Sequence, residues 1–159
     1  MIESDARAAL VAEAKTWLGT PWHHRARVKG VGVDCAQFLI GVYAGAGLIE
    51  GFDTGDYPRD WHIHRDEERF LPFVQRFAAE IPEADAKPGD VILVKIGRVF
   101  SHGAILLDWP QAIHAAVQDQ RVTLCDLDRD LGLFDRPRRY FSYWPTALKQ
   151  RAPASDRAT

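Results

Sequence analysis

The chain has 159 residues, of which 47% are hydrophobic and 26% charged, with a net charge of −2. That length suits one domain with a proper core, and that composition excludes a disordered chain. A charge so near zero gives no bulk electrostatic case for nucleic acid or an anionic membrane as partner, and no stretch approaches the roughly 18 consecutive apolar residues of a membrane span.

Met1-Ile2-Glu3-Ser4-Asp5 is acidic and has no apolar run, so no signal peptide is expected and synthesis in the cytoplasm is. Ser4 is expected to cap a first helix over 4–18, with Leu10, Val11, Ala14, Trp17 and Leu18 on one face and Gly19 ending it. Thr20-Pro21-Trp22 reads as a turn, and 23–32 as a basic, glycine-punctuated loop carrying Arg25, Arg27 and Lys29. Asp34 is a good N-cap for a second helix over 35–46, whose apolar positions Phe38, Leu39, Val42, Tyr43 and Ala46 fall at helical spacing. Residues 51–60 are irregular. A third helix is expected over about 67–79, with Pro72 marking its start or a kink.

After Pro82 the texture changes to strands. Lys87-Pro88-Gly89-Asp90 is a turn, 91–96 a β-type run, and Gly97-Arg98 a hairpin tip. Further strands are expected at 102–107, 112–116, 122–125 and 139–143, with a turn at Asp108-Trp109-Pro110. The last residues, 151–159, read as a frayed tail on a single domain over 1–150. Helices first and an antiparallel meander afterwards predict an α+β fold, with N-terminal helices packed against an antiparallel sheet of about five strands.

Two cysteines, Cys35 and Cys125, form no CxxC pair and no spaced ligand set, so a reduced chain is expected. Cys35 falls in the first turn of the second helix, where unpaired N–H groups and the helix dipole favour a thiolate. A thiolate nucleophile needs an imidazole in reach and a third group to fix that ring's tautomer. Among six histidines, His102 and His114 fall on adjacent strands joined by a tight turn, which brings their side chains together as a base and its orienter. Gly103 is read as leaving room beside the base. Neither His23-His24 nor His62-Ile63-His64 has the spacing of a closed metal site, so no metal and no other cofactor is expected. Cys125 reads as core, and Trp22, Trp61, Trp109 and Trp144 as packing or cleft wall. A carboxylate beside a thiol raises its pKa, so Asp34 is expected to aim at backbone N–H groups or substrate, away from sulfur.

Five segments in order resemble the NlpC-type cysteine peptidases, papain-like bacterial cell-wall endopeptidases. They are Gly19-Thr20-Pro21-Trp22, Asp34-Cys35, Lys87-Pro88-Gly89-Asp90-Val91, Ser101-His102-Gly103-Ala104-Ile105 and Ile113-His114-Ala115. The resemblance implies a papain-like fold with Cys35 as nucleophile, His102 as general base and His114 as orienting residue. It implies an oxyanion met partly by the Cys35 N–H, and hydrolysis of peptidoglycan stem peptides. The family's Ser and Gly after the nucleophile are Ala36 and Gln37 here, so recognition of a free substrate amine is not carried over. Asp34, Trp22 and Ser101 become candidate substrate contacts. So do Arg25, Arg27 and Lys29, expected to pair with stem-peptide carboxylates at the cleft rim. The compact layout and the Asp-Cys-Ala-Gln variant resemble versions carried by phages and gene transfer agents. By that analogy the partners are tail-hub or tail-tip proteins, and the site of action is the periplasm or cell wall. The alternatives are an amidase toxin or an acyltransferase on the same fold, and a tail-assembly module without catalysis.

Overall fold

The structure, a computed structural model, describes residues 2–57, 70–130, 132 and 135–144. Trp61, His62 and His64, the start of the expected third helix and the 151–159 tail lie outside those residues. Helix α1 spans Glu3–Lys15. Ile2, not Ser4, is its N-cap, without a side-chain cap bond, and Ser4 lies inside the first turn. The helix also stops short of Leu18, which is 44% exposed, whereas Ala6, Leu10, Ala14 and Trp17 are buried. The stretch expected as loop contains a small hairpin of β1 (Arg27–Val28) and β2 (Gly32–Val33). β2 feeds directly into α2 (Cys35–Gly45), so the strand end fixes where the helix begins.

Helix α2 starts where the sequence predicts, because Asp34 sits in extended backbone and its Oδ1 accepts from Gln37 N at 2.9 Å. Residues 36–43 are all buried, which suits a central helix packed against α1 and against the sheet. Helix α3 is described over Phe70–Gln75 and carries Pro72. It does not reach residue 79, because Ala79–Ile81 is a strand, β3.

The remaining strands are β4 (Val91–Ile96), β5 (Val99–Asp108), β6 (Gln111–Ala116), β7 (Arg121–Asp126) and β8 (Arg138–Ser142). They form a six-stranded sheet in the order β3-β8-β4-β5-β6-β7, every pair antiparallel. The expected five strands are all present, and β3 is the sixth. The main core lies between the helices and one sheet face, around Phe38, Leu39, Tyr43, Phe70, Ile105 and Phe141. A smaller cluster, including Ile92, Leu106 and Tyr140, covers the other face.

Two turns anchor this frame. Thr20-Pro21-Trp22 lies along the β7 edge, with Gly19 N donating to Val122 O at 3.0 Å and Trp22 N to Gln120 O at 2.8 Å. At the entrance to β4, Gly89 has φ +93°, a left-handed conformation that suits glycine, and its carbonyl accepts from Tyr43 Oη at 2.5 Å. Asp90 closes that turn by accepting from Lys87 N at 2.9 Å. No helix among the described residues is long and apolar enough to cross a membrane.

Candidate active site

Cys35 is the first residue of α2, and its Sγ lies against the backbone of β5, 3.8 Å from Ser101 O. The Gly103 N–H also faces the sulfur, as do the N–H groups of Cys35 and Ala36. The thiol is thus seated on the backbone either side of His102. A register shift between Val94 and Lys95, against β5, makes this part of the strand irregular. Gly103 has a different task from the one read in the sequence. A Cβ there would lie 2.8 Å from Phe70 Cζ and 2.9 Å from Leu39 Cδ1, so the missing side chain lets α2 and α3 close on β5. The space is filled by core and does not remain open beside the base.

His102 and His114 are both buried, and their rings meet, with His102 Nε2 2.7 Å from His114 Nδ1. Because His102 uses Nε2 for that bond, Nδ1 is its nitrogen for exchanging a proton with a thiol or a leaving group. Burial lowers the His114 pKa, opposed by the charges of Asp119 and Asp130. A neutral His114 accepts at Nδ1 from His102 Nε2–H, and that assignment places its own proton on Nε2.

The thiol behaves against the simplest expectation for a helix start. Burial raises its pKa, the Asp34 charge raises it further, and the surrounding backbone N–H groups oppose both without winning. A lone thiolate is therefore disfavoured, and Cys35 can ionise readily only if the proton is held nearby.

Asp34 itself is turned as expected. Oδ1 caps Gln37 N, and Oδ2 accepts from Arg25 N at 2.8 Å and from Tyr57 Oη at 2.5 Å. Burial, followed by this carboxylate, holds the Tyr57 phenol well above its usual range, so it stays a donor. Gln37 Nε2 donates to Thr54 Oγ1 at 2.8 Å and to Tyr57 Oη at 3.3 Å. This network pins residues 54–57 over the start of α2. Sequence reasoning does not single out Tyr57, Thr54 or His24, whose Nδ1 is 4.0 Å from Asp34 Oδ2. The available signal is Gln37, a buried amide in an otherwise apolar helix that has to find partners.

Cys35, His102 and His114 line one cleft of about 560 Å³, together with Asp34, Trp22 and Ser101. The three basic candidates do not line it. Arg25 pairs with Asp56, and Arg27 Nη1 donates to Phe52 O at 3.1 Å; both line a separate small polar pocket of about 240 Å³. Lys29 pairs with Glu13 at 2.7 Å and stacks over Trp17. Among the described residues no group of three His, Cys, Asp or Glu side chains is placed to hold a metal ion. Cys125 is buried, and burial pushes its thiol up to about 12, as befits inert core.

Residues 19–133 match the model of the NlpC/P60 family, well over half of the chain. The chain belongs to the NlpC/P60 family. Solved NlpC/P60 structures share the fold. The NlpC/p60 domain of the peptidoglycan hydrolase SagA is 25% identical, with 84% of this chain and 96% of that one covered and a TM-score of 0.56. The peptidoglycan hydrolase RipB from Mycobacterium tuberculosis is 20% identical over 91% and 69%, with a TM-score of 0.60. RipD from the same organism, described as a non-catalytic NlpC/p60 domain protein adapted to peptidoglycan binding, is 16% identical over 87% and 98%, with a TM-score of 0.55. No curated protein matches this NlpC/P60 chain in sequence.

Proposed function

We propose that this protein is a cysteine peptidase that hydrolyses peptide bonds in peptidoglycan stem peptides through an acyl-enzyme. The observation that carries the reading is the 2.7 Å His102–His114 hydrogen bond beside a thiol seated on the backbone flanking His102, all in one cleft. Family membership supports the substrate class.

In this mechanism His102 Nδ1 takes the Cys35 proton while Nε2–H stays on His114, and the sulfur attacks the scissile carbonyl carbon. The oxyanion is met in part by the Cys35 N–H at the start of α2. His102 then returns the proton to the leaving nitrogen as the C–N bond breaks, leaving a thioester on Cys35. Water attacks that thioester with His102 as base, releasing a carboxylate and restoring the thiol. Trp22, Asp34 and Ser101 form the nearby cleft wall for the stem peptide.

The same fold in RipD, a non-catalytic protein, motivates a second reading, in which the cleft only binds peptidoglycan. Digestion of purified sacculi separates the two. The wild type is expected to release muropeptides and Cys35→Ala to release none while still co-sedimenting with sacculi; mass analysis names the bond. If the wild type binds sacculi and releases nothing, the binding reading replaces hydrolysis.

A further inference from the structure

Ion-pair formation at this site poses a charge problem that the three central residues do not solve by themselves. The thiolate would form next to the Asp34 carboxylate, and the imidazolium would form on a buried ring backed by a second, neutral one. Something must favour positive charge on the histidine pair. His114 is 6% exposed, and the bond that its Nδ1 accepts from His102 Nε2 is its one side-chain hydrogen bond among the described residues. Its Nε2 has no partner among those residues, although the ring lines the cleft.

Two carboxylates, Asp119 and Asp130, line the same cleft. Asp119 lies in the turn between β6 and β7, three residues past the end of β6, is exposed, and makes no hydrogen bond or ion pair among the described residues. Asp130 follows β7, and its Oδ2 accepts from Asp126 N at 2.6 Å. The other charged or titratable groups lining the cleft are His24, Asp34, Cys35, Tyr57 and Arg136. From β7, the strand paired with β6, the residue opposite His114 is the uncharged Thr123.

We propose that Asp119, backed by Asp130, is a positioning residue for the Cys35–His102–His114 group, stabilising the proton held on the histidine pair and so permitting the buried thiol to ionise. This rests on the reading of Cys35 as nucleophile. The proton moves only from Sγ to His102 Nδ1; the His102 Nε2–H remains hydrogen-bonded to His114 Nδ1, and neither carboxylate takes part in the transfer. The charges of Asp119 and Asp130 favour the protonated form of His114, whereas the carboxylate that raises the thiol is Asp34. That asymmetry stabilises imidazolium without raising the thiol as Asp34 does.

Alkylation of Cys35 by iodoacetamide, mapped by mass spectrometry across pH, tests the proposal without peptidoglycan, so its failure is distinct from failure of the hydrolase reading. A fall of about half a pH unit in the pKa of the histidine pair in Asp119→Asn corresponds to about threefold slower alkylation near pH 7. The difference narrows as pH rises towards the raised pKa of the thiol itself, because a thiolate formed there needs no imidazolium. Asp119→Glu restores the neutral rate, added salt shrinks the difference, and Asp119→Asn with Asp130→Asn slows it further. Asp119 leads the test because Asp130 also holds its own turn. An unchanged neutral rate in Asp119→Asn, an equal loss at every pH, or no rescue by Glu overturns the proposal. So does a higher KM on sacculi with alkylation untouched, which would assign Asp119 to substrate binding.

Discussion

At the residue scale, the three central side chains are legible in the sequence alone. A cysteine behind a capping aspartate and two strand histidines separated by a short turn are local patterns, and the strands that carry them are set by local alternation. The electrostatic sign at sulfur is not legible, because it depends on burial and on where one carboxylate points. Asp34 has both oxygens occupied by Gln37 N, Arg25 N and Tyr57 Oη, yet its charge still raises the thiol. Asparagine keeps a capping oxygen and removes that charge. Asp34→Asn is therefore expected to lower the Cys35 pKa and move the onset of alkylation to lower pH. Labelling at a fixed pH below that onset becomes about tenfold faster for every pH unit by which the onset moves. An unchanged pH profile, measured on a variant with an unchanged melting curve, would show that the cap dipole and desolvation outweigh the charge. The Tyr57 contact is illegible for another reason: residues 51–57 have no periodicity, and only the buried Gln37 amide signals that a partner must arrive from elsewhere.

At the element scale, α2 and β4 to β8 follow the sequence closely because each has a strong pattern of its own. β1, β2 and β3 do not. Two-residue strands carry no alternation to detect, and Ala79–Ile81 becomes a strand through pairing with β8, Ala79 with Ser142, more than sixty residues later. Gly103 shows how one such element contact shapes the site. It lies on β5 beneath Leu39 of α2 and Phe70 of α3, and its N–H faces the thiol. Gly103→Ala forces those side chains or the strand to move and is expected to cost about 1–3 kcal/mol of stability, read from urea midpoints. Leu39→Ala in the same chain removes one of the two collisions but not the one with Phe70. The double variant should therefore be less destabilised than the sum of the singles, and strict additivity would mean that the glycine is not required for this packing.

At the scale of the whole molecule, the cleft depends on parts of the chain that never touch it. Arg7 on α1 donates from Nη1 to Asp90 Oδ1 at 2.9 Å and to Pro88 O at 2.9 Å, reaches Ser142 Oγ at 3.4 Å, and stacks 4.1 Å from the centre of the Trp144 ring. One guanidinium thus joins the first helix, the turn that opens β4 and the end of β8. The Pro-Gly-Asp turn that resembles a family signature is, in physical terms, the receiving half of this staple. Asp90 is fully buried, and burial raises its pKa despite the bonds from Lys87 N, Ser142 and Arg7 that oppose the rise. Arg7→Ala leaves that carboxylate buried without its cation, which is expected to cost about 3–5 kcal/mol at pH 7. The pH dependence has a definite sign. A carboxyl whose pKa is raised on folding binds its proton more tightly in the folded state, so folding gains stability as pH falls through the raised pKa. Removing Arg7 takes away one of the groups holding that pKa down. The deficit of Arg7→Ala relative to wild type should therefore shrink between pH 7 and pH 5, as Asp90 takes up a proton in the variant first. Urea unfolding of both proteins at the two pH values measures it. An equal deficit at both would mean that the lost stacking on Trp144, and not the charge on Asp90, is what the arginine supplies.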